Sequence, residues 1–393
     1  MKKGRKKYYI LLNLGLAVVL IAALLIIFKL NDISIESFAA NLFGANETGE
    51  IEDIVETQEE TETVAETEEE TEAQTEEETE EETEVVEDVY DTIIISAAGD
   101  VTLGRDSDYG YKRSFDHEFE LQNEDYGYFF KNVKDIFEKD DITIVNLETT
   151  LTTATKKADK KFTFKADPSY VEILKQGNIE AVSLANNHSR DYLAQGYEDT
   201  IATLEEADIG YFGYDNKYIK DVRGIKVGVF GLTPWYENEE IKEDIRTAIE
   251  ELKAEGADII IAMYHWGIER DNYPNVVQKN IGRYTIDQGA DLVLGSHPHV
   301  LQGIEEYNGK QIVYSLGNFC FGGNKNPSDK DTMIYVHRFN FKNGELISEE
   351  NETIPASISS VKDRNNYQPT ILEGDEKERV MKKITKFSEA LNE

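Results

Sequence analysis

Two histidines, His297 and His299, bracket Pro298 in GSHPHV, residues 295–300, directly after the apolar run DLVL. The chain has only six histidines, and four of them stand where an apolar, strand-like run stops. These are His188 in LANNHSRD, His265 in AMYHWGIER, and the GSHPHV pair. The same strand ends present oxygen donors: Asp100 after SAAG, Asn146 and Glu148 in VNLETT, Asn186 and Asn187 before His188, and Asn318 in SLGNF. The other two histidines, His117 and His337, read as a loop residue and a residue within a strand.

In an extended segment, residues i and i+2 point the same way. His297 and His299 are therefore expected to face one cavity, with Pro298 stiffening the link. Imidazole, carboxylate and amide oxygen together suit a divalent Zn, Mn or Fe ion. Such an ion lowers the pKa of a bound water and polarises a phosphoryl or carbonyl oxygen. The alternative is a metal-free cluster of hydrogen-bonded histidines. The metal-shell candidates are Asp100, Asn146, Glu148, Asn187, His265, His297 and His299. His188 is the acid/base candidate, and Asp100 is the second catalytic candidate. Arg105, Trp266, Glu269 and Asn318 belong to the same segments and are expected to face substrate. Trp235 and Tyr236, in TPWYENEE at 233–240, either line the cleft or simply pack.

Something must carry these residues to one place. Apolar, β-rich runs at 92–99, 142–148, 181–186, 225–233, 258–265, 291–296, 311–317 and 333–341 read as strands. Helical patterns fall at 126–138, 168–177, 196–207, 238–255 and 274–288. Strands apolar on both faces, with helices between them, indicate a layered α/β domain. Ligands in such sheets collect beyond the carboxyl ends of the strands. The last strands lack intervening helices, which predicts antiparallel pairing at one side. The domain is placed at 92–350. A C-terminal extension, 351–393, ends in the amphipathic segment GDEKERVMKKITKFSEALNE.

The remainder of the chain of 393 residues bounds the setting. MKKGRKK, a basic tail at 1–7, precedes an apolar run at 8–30. That run is long enough to cross a hydrocarbon core of roughly 30 Å. The basic flank is expected to hold the N-terminus in the cytoplasm, leaving the main domain extracellular on a single-pass anchor. Cleavage near ESFAAN at 36–41 is the alternative. Residues 31–91 form a juxtamembrane stretch and a Glu/Thr-rich linker. Its part from 47 to 88 holds 22 acidic residues and no basic ones. With little apolar to bury, this segment is expected to be a disordered stalk. Subtracting those 22 charges from the net −37 leaves −15, which argues against nucleic-acid binding. The single cysteine, Cys320, excludes an intrachain disulfide and a thiolate zinc cluster.

The ordered segments GDVTLGR (99–105), NLETTLT (146–152), FKADP (164–168), ANNHSRDYLAQG (185–196), YHWGIE (264–269), GSHPHVLQGIE (295–305) and YSLGNF (314–319) resemble the CapA family of bacterial capsule-synthesis proteins, called PgsA in poly-γ-glutamate systems. The resemblance implies a four-layered α/β/β/α sandwich similar to calcineurin-like metallophosphoesterases. It aligns Asp100 with the first metal aspartate, Asn187–His188 with the Asn-His element, His265 with the lone histidine, and His297 and His299 with the final pair. The enzymes carry Asp-x-His where this chain has Asp100-Val101-Thr102, and a bridging aspartate where it offers Asn146 or Glu148. One of two metal positions is then lost or rebuilt. The implied role is synthesis or export of an anionic capsule polymer beside its synthase subunits. Two further readings stand beside it: a metal-dependent phosphoesterase or amide hydrolase of the envelope, and a non-catalytic partner-binding ectodomain.

Overall fold

The computed structural model describes residues 88–392. The chain divides into two units, Met1–Glu82 and Thr83–Glu393, and only the second is described. The basic tail at 1–7, the anchor at 8–30 and nearly all of the 31–91 linker lie outside the described residues. Among those described, no helix is long and apolar enough to cross a membrane.

The strands in chain order are β1 (Tyr90–Thr102), β2 (Arg105–Asp106), β3 (Ile142–Leu147), β4 (Thr150–Leu151), β5 (Phe164–Ala166), β6 (Ala181–Ser183), β7 (Gly210–Phe212) and β8 (Tyr218–Val222). They continue with β9 (Ile225–Leu232), β10 (Ile259–His265), β11 (Leu292–Ser296), β12 (Ile304–Tyr307), β13 (Lys310–Val313), β14 (Asn318–Phe321), β15 (Asp331–Lys342), β16 (Glu345–Ser357) and β17 (Thr370–Ile371). The helices are α1 (Phe115–Leu121), α2 (Lys134–Phe137), α3 (Val171–Gln176), α4 (Leu193–Glu206), α5 (Glu239–Ala254), α6 (Val276–Asp287) and α7 (Gly374–Glu389).

Eight strands form one mixed sheet, ordered β17-β16-β15-β1-β3-β6-β7 with β14 also paired to β1. Six form a second sheet, β12-β13-β11-β10-β9-β8, and a small sheet joins β2, β5 and β4. The central strands β3, β10 and β11 are buried at every residue, which is why they read as unbroken apolar runs. One core cluster fills the space between the two large sheets, with Ile93, Ile95 and Ile144 meeting Val229, Ile261 and Leu294. The outer face of the first sheet packs Val145 and Val182 under Phe115, Ile173 and Leu204. The outer face of the second packs Phe230 and Ile260 under helices α5 and α6. Helix α5 buries Ile245, Ala248, Ile249 and Leu252, the spacing of one helical face, and starts at an Asn238 cap. Helix α6 starts at an Asn275–Gln278 capping box.

Several expectations need correction. The pattern at 126–138 is a 3₁₀ turn, Tyr126–Tyr128, followed after a break by α2. Phe129, Phe130, Val133 and Phe137 are all buried there, and two adjacent buried aromatics do not fit a single helical stripe. The run at 311–317 stops at Val313; Tyr314–Gly317 cross to the other sheet, where β14 begins. A domain end at 350 would cut through β16, and a start at 92 falls inside β1. His117 sits in α1 rather than in a loop. The antiparallel pairs β1–β15 and β15–β16 meet the expectation for the last strands.

Candidate metal centre

The carboxyl ends of both large sheets supply the site. From the first sheet come Asp100 on β1 and Asn146 on β3, which lie in register. From the second come His265 at the end of β10 and Ser296 at the end of β11, also in register. The entry to β14 can lie against β1 here because Gly99 has no side chain: a Cβ on it would lie 1.8 Å from the Gly317 carbonyl oxygen. The next residue, Asp100, donates its backbone N–H to that same oxygen at 3.0 Å.

Beyond Ser296, where β11 ends, the GSHPHV segment is not extended. It is a series of bends, with φ of +94° at His297 and +58° at His299. Left-handed backbone at a non-glycine residue costs of order 1–3 kcal/mol and persists only where surroundings enforce it. The two imidazoles come together, with centroids 5.7 Å apart, through these turns and not through strand alternation. The His297 N–H points at Asp100 Oδ2, 3.4 Å away.

Glu148 is the centre of the cluster. It follows β3, is fully buried, and neither carboxylate oxygen has a hydrogen-bond partner among the described residues. His265 Nε2 lies 3.5 Å from Oε1, His188 Nε2 lies 3.9 Å from the same oxygen, and His299 Nδ1 lies 4.0 Å from Oε2. His299 Nδ1 also approaches Asp100 Oδ2 at 3.1 Å. Two groups of ligand atoms result, Glu148–His265–His297 and Asp100–Glu148–His299, each mutually within 4.8 Å. They share Glu148. A buried carboxylate with no donors costs several kcal/mol unless something positive meets it. The donor set, two carboxylates and three imidazoles, fits one or two divalent ions.

Charge preferences follow from this crowding. Burial, then the Asp100 carboxylate, push Glu148 well above the usual carboxylate range. Burial, then the neighbouring His297, hold His265 well below the usual imidazole range. Burial and His299 bring His297 down to about 4. Burial opposes charge on His299 too, but the Glu148 and Asp100 carboxylates override it and raise that imidazole to about 9.

The other candidates divide. Asn187 offers Oδ1 to His265 Nε2 at 2.8 Å and belongs to the cluster. Asn146 donates to Asp100 at 2.8 Å and receives Asn186 at 3.0 Å, so it braces the carboxylate. Asn318 holds His299 from two sides, through its Oδ1 at 2.9 Å and its amide at 3.1 Å. Glu269 is exposed beyond β10. Arg105 points elsewhere: it pairs with Asp116 at 2.8 Å and donates to the carbonyls of Asp106, Ser107 and Tyr109. Trp266 is wholly buried, with its indole N–H on the Tyr314 carbonyl at 2.8 Å. It follows the end of β10 and packs with Tyr264 and Tyr314 in the core under helices α5 and α6, and so is closed off from substrate. Thr102, next but one after Asp100, is buried with its hydroxyl unpartnered among the described residues.

Two residues outside the expected ligand set complete the site. Trp235 stands edge-on to His297, with centroids 4.7 Å apart, and to His265 at 5.9 Å. Its place beside a strand end was the only sequence signal. Asp191 is fully buried and accepts from His188 Nδ1 at 2.7 Å. The spacing His188-x-x-Asp191 carried that signal. Burial lowers the His188 pKa, and the Asp191 carboxylate opposes the shift.

Residues 94–323 match the model of the family described as bacterial capsule synthesis protein PGA_cap. The chain is 29% identical over 273 residues to the capsule biosynthesis protein CapA of Bacillus anthracis, covering 62% of this chain and 64% of that one. It is 32% identical over 229 residues to the PGA biosynthesis protein CapA of Bacillus subtilis (strain 168), covering 53% and 60%. A probable polyglutamine synthesis accessory protein of Mycobacterium tuberculosis is 26% identical over 244 residues, covering 53% and 64%. The chain thus spans less than two thirds of the length of these relatives. The match runs from before Asp100 to beyond Asn318 and so encloses the whole cluster, and the chain belongs to the bacterial capsule synthesis protein PGA_cap family.

Proposed function

We propose that this protein is a membrane-anchored, extracytoplasmic component for the synthesis or export of a poly-γ-glutamate-type capsule polymer, acting beside the polymer's synthase. Its folded part is a four-layered α/β/β/α sandwich of metallophosphoesterase type that holds a divalent ion. The family match and the names of the relatives support the capsule role. The basic tail and the apolar run at 8–30 support the anchor. Protease added to intact protoplasts should then release a fragment containing the folded domain; full protection of that domain would overturn the topology.

The observation that carries the site's chemistry is the buried, unpartnered Glu148 among three imidazoles. Asp100, Glu148, His265, His297 and His299 would hold the ion, with Asn187 at the open side. Bound there, a divalent ion supplies Lewis acidity and an acidified water. The chain's own residues do the rest. Asn146 and Asn318 fix the orientations of Asp100 and His299. Asp191 fixes the His188 ring at Nδ1, leaving Nε2 turned toward Glu148 to give or take a proton. Trp235 packs edge-on against the His297 ring.

That oriented His188–Asp191 pair favours a second reading, hydrolysis of a phosphoester or amide in the envelope. Purified protein supplied with Mn or Zn is expected to retain the ion and to cleave a generic phosphodiester. His188→Ala should lose turnover while keeping the ion. Retention of the ion without turnover would leave the capsule role as a non-hydrolytic one. Failure to retain any ion would make the cluster a metal-free hydrogen-bonded one.

A further inference from the structure

The segment Thr155–Lys165, TKKADKKFTFK, holds five lysines and one aspartate in a chain of net charge −37. It is fastened to the site. Lys160 Nζ pairs with Asp191 Oδ1 at 2.5 Å and donates to the Asn187 carbonyl at 2.6 Å. The Ala158 N–H reaches the Asp191 carbonyl at 2.8 Å, and the Phe164 N–H reaches Asp191 Oδ2 at 2.5 Å. The Phe164 ring packs on His188 with centroids 4.5 Å apart. Every residue of the strap is therefore within a few positions of an anchor on the His188–Asp191 pair.

The lysines are not all spent on that anchoring. Lys157 pairs with Asp108 at 2.6 Å, and Lys165 donates to the Ala154 carbonyl at 2.6 Å. Lys156 and Lys161 are exposed, and among the described residues neither pairs with a carboxylate. Lys161 only overhangs the Phe162 ring, at 4.8 Å. Two ammonium groups without carboxylate partners thus stand on a strap tied to the rim of the cluster, against one exposed carboxylate, Asp159, between them. Exposed charges are screened over about 8 Å at physiological salt, so a passing anion feels this strap, where lysines outnumber nearby carboxylates, more than acidic residues elsewhere on the chain.

We propose that the strap at 156–161 is the docking rim that delivers a polycarboxylate chain to the metal centre. The inference rests on the proposed function and names which of this chain's residues meet the polymer. It also answers a difficulty, since an acidic protein should otherwise repel a polyanion. The residue type selects the ligand chemistry. The strap has lysines and no arginine. Lysine is a hydrated point charge on a flexible stem, suited to a chain of repeated carboxylates that slides; arginine would impose the fixed, bidentate geometry favoured for phosphate.

The test is binding of full-length protein to poly-γ-glutamate, with polyphosphate of matched charge as the competitor and metal content measured on every sample. Lys156→Glu with Lys161→Glu should weaken poly-γ-glutamate binding about tenfold or more, and added salt should erase the difference. Bound metal should not change. The same reversal at Lys382 and Lys386, exposed on α7, alters net charge equally and should have little effect. Lys156→Arg with Lys161→Arg should retain poly-γ-glutamate binding but shift the preference toward polyphosphate. Equal losses from the strap and α7 reversals, or none from either, would overturn the rim. Preferential capture of polyphosphate would overturn the assignment to carboxylates. Strap-dependent polymer binding by protein that holds no metal would leave the rim standing and remove the metal centre instead.

Discussion

Glu148→Gln should cut divalent-metal affinity by about a hundredfold or more, since even the groups that only orient ligands cost ten- to a hundredfold. Glutamine keeps the shape and one carbonyl oxygen but removes the charge shared by both ligand groups. In metal-stripped protein the sign reverses. There the wild type buries a carboxylate without donors, and the variant should be more stable by roughly 1–3 kcal/mol. The pH dependence separates the two states. His299, raised to about 9 in the folded protein, adds stability below its ordinary value of 6.5 and loses it as pH climbs through about 9. Glu148, raised well above 4.5, likewise adds stability below that value and loses it as pH climbs. His265 and His297 act oppositely, but their contribution is complete above 6.5 and falls away only at lower pH. From pH 6.5 to 9 the stripped wild type should therefore lose stability, by the order of 1–3 kcal/mol. The variant should show a shallower loss, because it lacks the Glu148 titration and one of the two carboxylates beside His299. Added metal should reverse the trend, since it requires deprotonated ligands. Thermal melts of chelator-treated and reloaded protein across that range decide the matter. Equal metal binding by variant and wild type would remove Glu148 from the centre.

The sheets were legible because their central strands are buried on both faces, and such strands announce themselves as apolar runs. The residues of the polar cluster were legible for a related reason: strand ends are where a buried run must meet polar chemistry. What alternation could not supply was direction beyond the last residue of a strand. Trp266 follows His265 on β10 and faces the helix layer, while Trp235, on a loop after β9, reaches the histidines from another strand. Proximity in sequence to a ligand favoured the wrong tryptophan. The His297–His299 pair was placed correctly for a reason that fails, since bends with positive φ, not an extended segment, converge the rings. The 126–138 segment failed because buried aromatics from a tertiary core override a helical pattern. Lys160 was illegible as a neighbour of Asp191 because its approach depends on how the 153–163 loop folds back over α4's entry.

Asp191→Asn is expected to cost the fold about 1–3 kcal/mol, the range for leaving buried, charge-assisted hydrogen bonds poorly satisfied, because Lys160 itself is solvent-exposed. Asp191 is fully buried, accepts at Oδ2 from the His188 ring at 2.7 Å and the Phe164 N–H at 2.5 Å, and pairs its other oxygen with the Lys160 ammonium at 2.5 Å. An asparagine oxygen can still accept from His188 and Phe164. Its amide hydrogens would then turn toward the Lys160 ammonium, donor against donor, and that ammonium would lose its counter-charge. Lys160→Met should relieve part of the cost, so the double variant should be less destabilised than the two single losses combined predict. The carboxylate also raises the His188 pKa against burial, so the variant's imidazole should titrate at lower pH than the wild type's. Neither group of metal-ligand atoms includes Asp191, so bound metal should persist while His188-dependent turnover falls. Urea unfolding gives the stability, a double-mutant cycle gives the Lys160 coupling, and histidine NMR gives the titration. Unchanged unfolding together with an unshifted His188 would show that Asp191 neither anchors the lysine strap nor orients the proton-transfer histidine, and the two roles would have to be sought in different residues.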